Sequence, residues 1–254
     1  MVRGFYEAAS GALSQLRNFN VMANNVANLG TTGYKAETLV GSSFAEHLVA
    51  RIGGGDISPS RNIGGGSFFT TNITEYYNFD QGSMESTGNE LDMAINGPGF
   101  FMVSSESLGD VLTRNGQFDV DSEMNLVLPG VGLVLDDGGS PITLESSSIL
   151  VDQYGMISVG GEEVAQIGVY AVEDMDSLYN AGRGMFQSEE EPDAAPAGTY
   201  QVLQNVIEKS NVNMAVEMSR VMAGQNMYNA CSQVVKMYDQ LNEALVTQIG
   251  RVSS

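Results

Sequence analysis

Near the start of the chain, Phe5, Ala9, Ala12, Leu16, Phe19, Ala23 and Val26 recur at spacings of four, three, four, three, four and three. An apolar residue every 3.5 positions puts all seven on one narrow stripe, and the pattern predicts an amphipathic helix of coiled-coil type. Asn28, Gly30 and the Thr31-Thr32-Gly33 cluster accept left-handed backbone and predict its end. The far end repeats the design: Met227, Cys231, Val234, Tyr238, Leu241 and Leu245 again follow four-three spacing, with Asn211 and Asn213 as candidate caps. Gly224 is the weak position of that helix, about 1 kcal/mol less favourable than Ala in an exposed helix interior. One such stripe is what an ordinary surface helix shows to its own domain. Two of them, one at each end, pack most simply side by side or against neighbouring copies.

Between the stripes the period changes. Residues 36–80 show none; glycine runs at 53–55 and 64–66 punctuate them, while Phe68, Phe69, Tyr76, Tyr77 and Phe79 predict extended segments. His47 falls in a stretch that reads as helix-like or irregular. From Leu91 onward, short apolar runs follow at 91–95, 100–103, 118–120, 126–128, 133–135, 142–144, 149–151, 156–159 and 167–172. Turn residues separate them, among them Asn96-Gly97-Pro98-Gly99, Asn115-Gly116, Pro129-Gly130 and Gly160-Gly161. Short strands at such spacing predict an all-β sandwich or barrel. The segment from Glu189 to Pro196 is charged and broken by proline, which predicts a solvated loop. The expected fold is therefore a mainly β central domain with long N- and C-terminal α-helices that pair in a coiled-coil-like assembly. Its boundaries are a helical segment at 1–35, an extended Gly-rich connector at 36–80, an all-β outer domain at 81–205 and a C-terminal assembly helix at 206–254.

Charge follows the same partition. Residues 1–61 carry five basic and four acidic side chains and residues 208–254 carry four of each, whereas the middle has 23 acidic groups against Arg114 and Arg183 alone. The chain total is −20, and all six prolines lie between Pro59 and Pro196. A subunit that packs its two ends against copies of itself and shows its middle to water has reason to be built this way. A pI near 4.1, with no cluster of Lys or Arg, excludes nucleic acid as a partner and opposes docking on anionic lipid. Glu7, Ser10, Ser14 and Arg17 interrupt any apolar core of a secretory signal, and no run reaches the roughly 18 apolar residues of a membrane span. The expectation is a protein without direct membrane insertion that either stays in the cytosol or leaves without a cleaved signal.

The inventory of chemistry is thin. Cys231 is the only cysteine and His47 the only histidine, and 184 positions separate them; a lone cysteine gives neither an intramolecular disulfide nor a zinc site. Asp119-x-Asp121-x-Glu123 opens like a calcium loop, but Met124 occupies the position that requires glycine and Gly130 the position of the closing glutamate. A hairpin turn between two strands explains it better. The glycine runs lack the Lys-Ser/Thr of a phosphate loop. Paired carboxylates for glycoside hydrolysis have many candidates among 31 acidic residues, but the chain has no tryptophan to stack on a sugar. No enzyme, cofactor or metal is expected.

The terminal segments also carry motifs. Residues 22–35, Met-Ala-Asn-Asn-Val-Ala-Asn-Leu-Gly-Thr-Thr-Gly-Tyr-Lys, resemble the N-terminal signature of the bacterial flagellar rod and hook family. Residues 87–101 resemble that family's entry into its β domain, and Leu112-Thr113-Arg114-Asn115-Gly116-Gln117-Phe118 the strand and turn that follow. Glu208-Lys209-Ser210-Asn211-Val212-Asn213, leading into a long helix, is similar to its C-terminal signature. The four motifs stand in the family's order and cover nearly the whole chain. The resemblance implies a non-catalytic subunit of the flagellar basal-body rod, of the FlgF or FlgG type, polymerising through its terminal helices into a hollow helical tube. It implies as partners further copies, other axial proteins and the flagellar type III export apparatus, with an N-terminal segment that directs export. The subunit-interface residues it implies are the two stripes together with Asn24, Asn25 and Asn28. The alternative is a secreted oligomeric binding or adhesin-like protein that uses the acidic β domain for partner contact.

Overall fold

In the computed structural model both stripes fold as helices, α1 over Val2–Ala27 and α2 over Met214–Val252. The structure describes residues 2–43, 47–51, 61–66, 70–146, 148–172, 174–188, 192–196 and 198–252. The chain divides into two compact units: Met1–Asn25, Glu37–Tyr77 and Met214–Ser254 form one, and Val26–Ala36 with Asn78–Asn213 form the other.

In the first unit α1 and α2 touch in antiparallel order. A Cβ placed on Gly4 would collide with the Tyr238 ring, one on Gly11 would lie 3.2 Å from Cys231 Sγ, and one on Gly224 would lie 3.4 Å from Gln15 and 3.5 Å from Phe19. Gly224, read from sequence as a defect of α2, is thus a buried position where the helices come close. Residues 36–80 are more regular than their sequence suggests. Strand Glu37–Ser43 pairs antiparallel with Thr70–Tyr77, and His47–Arg51 pairs with Arg61–Gly66. His47 accordingly opens a strand instead of lying in a helix-like stretch. Phe68, Phe69, the 53–55 glycines and residues 189–191 lie outside the described residues; within the expected 189–196 loop, Asp193–Ala194 instead forms a short strand paired with Val169–Ala171, whose edge position tolerates the flanking prolines.

The second unit is built on strand Phe100–Ser105, which meets Gly109–Thr113 along one edge and both Gly132–Val134 and Val169–Ala171 along the other. The resulting nine-stranded sheet runs from Leu178–Gly182 at one margin, through Met185–Ser188, to Asp119–Val120 at the other. Its central strand is buried on both faces, as its continuous apolar run requires. Phe101 turns into the main core beside Phe118, with ring centroids 5.1 Å apart, while Phe100 faces Phe79 and Phe186 on the opposite side. Smaller sheets flank this one: Leu150–Val151, Met156–Val159 and Glu162–Gln166 form a meander, Met93–Asn96 pairs with Gln201–Gln204, and Met84–Ser86 pairs with Val206–Glu208.

One expected strand is missing. Residues 142–144 make only isolated bridges, Asn125 to Thr143 and Leu135 to Pro141, although Ile142 and Leu144 are buried. Pro141 has no N–H to extend a ladder, so burial there occurs without a regular strand. Conversely, Gly109–Thr113, Glu162–Gln166, Leu178–Gly182 and Met185–Ser188 are strands in which polar residues and glycine dilute the apolar signal.

Candidate functional site

The four motifs meet around one buried carboxylate. Glu208, at the end of strand Val206–Glu208, is 1% exposed. Its Oε1 accepts from Lys35 Nζ at 2.8 Å and from the Gly82 amide at 2.8 Å; its Oε2 accepts from Arg114 Nη1 at 3.3 Å. Lys35 Nζ also donates to the Asp80 carbonyl at 2.9 Å, and Arg114 Nη2 to the Gly97 carbonyl at 2.8 Å. The guanidinium lies 5.2 Å from the centre of the Phe100 ring, a cation–π contact. Burial pulls the Lys35 ammonium below the ordinary lysine range, and Glu208 opposes that pull. Burial lowers Arg114 in the same way, again against Glu208. Two cations therefore share one carboxylate in a site nearly closed to water, where removing one partner leaves a costly uncompensated charge.

Backbone contacts fix the same junction. The Gly33 amide donates to the Glu208 carbonyl at 2.7 Å, and Gly33 has φ of 70° where a Cβ would strike the Arg114–Asn115 peptide. Only glycine meets both demands. Thr32 Oγ1 donates to Gln117 Oε1 at 2.8 Å. Asn211 does not cap α2; its Oδ1 accepts from the Ala36 amide at 2.8 Å, and its Nδ2 donates to the carbonyls of Asn78 and Asp80 at 2.7 and 2.9 Å. This corrects the capping role its position suggested, since the side chain is spent in tying three strands of chain together.

The expected interface residues divide by burial. Phe5, Ala9, Ala12, Phe19, Val26, Asn28, Cys231, Val234 and Tyr238 are half-buried, whereas Leu16, Ala23, Asn24, Met227, Leu241 and Leu245 are exposed. On α1 the residues that face the other helix are Gly4, Gly11 and Gln15, each one position before a residue of the apolar stripe, together with Phe19 of the stripe itself. On α2 the facing residues Gly224, Cys231 and Tyr238 recur every seven, beside the line Met227, Val234 and Leu241. Met227 is 57% exposed and Leu241 53%. Asn25 stands apart. Its amide is buried, its Nδ2 donates to the Glu37 carbonyl at 2.8 Å and its Oδ1 accepts from the Glu37 amide at 3.0 Å, like one residue of an added strand.

Elsewhere the chemistry is that of turns. Asp121 accepts from the amides of Glu123 and Asn125 at 2.9 and 2.8 Å, which holds its carboxyl below the usual range and closes the tight turn before strand Leu126–Leu128. Met124 carries the left-handed backbone of that turn, with φ of 66°. A cleft of about 710 Å³ is lined by Asp110, Asp137 and Asp193 around Met102, Leu112 and Tyr170. The Tyr170 hydroxyl donates to the Asp136 carbonyl at 2.6 Å; burial raises its pKa, and Asp136 and Asp137 add to the rise. Among the described residues no group of His, Cys, Asp and Glu could hold a metal ion, and no helix is long and apolar enough to cross a membrane.

Comparison with known proteins matches three segments. Residues 5–35 match the family model described as flagella basal body rod protein, residues 94–159 the flagellar hook protein FlgE/F/G D1 domain, and residues 203–249 the flagellar basal body rod FlgEFG protein C-terminal. The chain is 30% identical to the flagellar basal-body rod protein FlgG of Buchnera aphidicola subsp. Baizongia pistaciae, over 96% of this chain and 99% of that one. It is 28% identical to the FlgF of Caulobacter vibrioides over the full length of both, and 30% identical to the FlgF of Rhizobium meliloti over 87% of both. The first and third matched segments bring Lys35 and Glu208 to the clasp; Arg114 comes from the second.

Proposed function

The chain belongs to the flagellar basal-body rod protein family, and from that premise we propose how this structural, non-catalytic protein of the flagellar basal body assembles. It polymerises through α1 and α2 into a hollow helical tube that transmits torque and passes exported subunits. Its neighbours are further copies and other axial proteins of the rod and hook, and its N-terminal segment engages the flagellar export apparatus. The domain roles follow: the two ends form the wall and the acidic β unit faces outward.

The observation that carries this reading is the pair of lines on each helix. One line meets the other helix of the same chain, while Leu16 on α1 and Met227 and Leu241 on α2 stay open to water. A helix that meets one neighbour along one line and leaves apolar residues open on the adjacent line can hold two neighbours at once, which is the requirement of a closed wall of helices. The acidic middle suits the outside, because its carboxylates could not be buried without large desolvation costs.

Leu16→Asp and Leu241→Asp test the proposal. Each puts a charge into a packed apolar line, where an unpaired charge is costly. Motility and basal-body incorporation are expected to be lost with the protein still made and its β unit still folded. Normal swimming by both variants would refute the seam.

A further inference from the structure

The clasp joins parts of the chain that are far apart in sequence. Lys35 and Glu208 are 173 positions apart, and Arg114 and Glu208 are 94 apart. A chain emerging from its N-terminus therefore presents two cations that the fold buries well before the one carboxylate that pairs with both. Within the described clasp, every other acceptor for Lys35 and Arg114 is a backbone carbonyl, of Phe79, Asp80, Ile95 or Gly97. The segment that delivers Glu208 also supplies structure. Gln201–Gln204 is the ladder partner of Met93–Asn96, whose first three residues are fully buried, and Val206–Glu208 is the partner of Met84–Ser86. Asn211 then ties Ala36, Asn78 and Asp80 together.

We infer that Glu208 makes closure of the β unit conditional on the arrival of residues 201–213: until they are available, Lys35 and Arg114 hold the unit open, and Glu208 releases it. The physical cause is burial of like charges. Without Glu208, closing the unit would place an ammonium and a guanidinium together in a site that is at most 5% exposed, with only backbone carbonyls as hydrogen-bond acceptors and the Asp80 carboxylate acting on Lys35 as a weaker charge than Glu208. With Glu208 in place the summed charge of Lys35, Arg114 and Glu208 falls to that of a single cation, and each carboxylate oxygen has a charged partner. The device keeps a chain that is still being delivered from committing to a partial β core. The unit also needs Val26–Ala36, so it draws on both ends of the chain and not on a continuous middle.

The full chain, tethered to the ribosome by a C-terminal arrest peptide through linkers of graded length, gives the test. Brief proteolysis of the tethered chain is read at each linker length. Protection of the β unit is expected only at lengths that bring residue 213 out of the exit tunnel. Glu208→Gln, which keeps the shape and removes the charge, is expected to remain cleavable at every length, with cleavage faster than in the parent by roughly two to three orders of magnitude, as for removal of one partner from a buried pair. The apolar replacement Lys35→Met/Arg114→Leu/Glu208→Leu is expected to regain protection. Protection of the parent chain with Glu208 still inside the tunnel would overturn the inference, and so would full protection of Glu208→Gln. If the apolar triple variant stays unprotected, the gate belongs to the two C-terminal strands and not to the charges, and the inference likewise fails.

Discussion

Replacing Asn25 should loosen the strand that follows α1 without touching any surface. The Asn25 side chain is 1% exposed and makes a reciprocal pair of hydrogen bonds with the backbone of Glu37, at 2.8 and 3.0 Å. Asn25→Ala removes both and leaves a peptide N–H and a carbonyl of a buried residue without those partners. At about 1–3 kcal/mol for each buried group left unsatisfied, the loss is roughly 2–6 kcal/mol, reduced where water enters the space vacated by the amide. Asn25→Asp retains an acceptor for the Glu37 amide, loses the donor to its carbonyl, and adds a negative charge near a second carboxylate. It should cost at least as much at neutral pH and recover part of the loss on acidification. Hydrogen exchange of the amides of Glu37–Ser43 in the monomer measures this directly: a 2 kcal/mol loss raises the exchange rate of the affected amides about thirtyfold. Exchange in Asn25→Ala within twofold of the parent, with unchanged unfolding midpoint, would refute the strand-like role and return Asn25 to the outer surface of the helix.

Glu37 itself gives a pH prediction. Burial raises its carboxyl above the ordinary glutamate range, and Glu75 adds to the rise. The folded state therefore holds this proton more tightly than the unfolded state, so the group's contribution to stability grows as pH falls from its raised pKa towards the unfolded value, and is lost as pH rises through the raised one. Glu37→Gln should slow exchange in the hairpin at neutral pH and flatten its pH dependence; unchanged dependence would show that another group titrates there. Gly224→Ala should stabilise the monomer by up to about 1 kcal/mol in denaturant unfolding, because the added methyl makes only ordinary contacts at 3.4 Å or more while the helix gains propensity. Gly11→Val, by contrast, should destabilise contact between the helices, since even a first carbon lies 3.2 Å from Cys231 Sγ; equal midpoints for the two variants would show that the helices do not meet there. Added salt should promote self-association in light scattering by screening repulsion among the 23 carboxylates of the middle, and assembly that weakens with salt would point to charge pairing between subunits instead.

The helices and the order of the motifs were legible because they are written in local periodicity and in runs of consecutive residues. The clasp was not. Arg114 reads as one of two arginines in an acidic stretch, and nothing near it in sequence points to a carboxylate 94 positions away. Lys35 and Glu208 each sit in a terminal motif, yet a charge count over the ends cancels them. Apart from Phe19, the facing residues of α1 were also invisible to a hydrophobic pattern, because they are Gly4, Gly11 and Gln15. Small residues that let helices approach are skipped by any count of apolar side chains, so periodicity picked out the neighbouring line at Phe5, Ala9, Ala12 and Leu16. Strands such as Leu178–Gly182 were missed for a related reason: Tyr179 and Asn180 face water at the margin of the sheet, and a marginal strand carries half the apolar signal of a central one.

Gathering both ends of the β unit at one clasp has a consequence for how such a chain can change in length. The clasp fixes residues 32–36, 78–82, 95–97, 113–117 and 206–211, and most of the acidic middle is strung between these points. Gly160 and Gly161 form a turn in left-handed conformation, and a Cβ at either would meet nothing within 4 Å. Sequence grafted there leaves the meander strands on either side paired and leaves every residue of the clasp where it was. Insertions of different size can therefore be carried on one unaltered clasp, so that bulk and surface chemistry diverge while the residues that gather the two ends of the unit stay the same. The same turn is the natural point to insert an epitope or a fluorophore-binding loop for following the subunit in place.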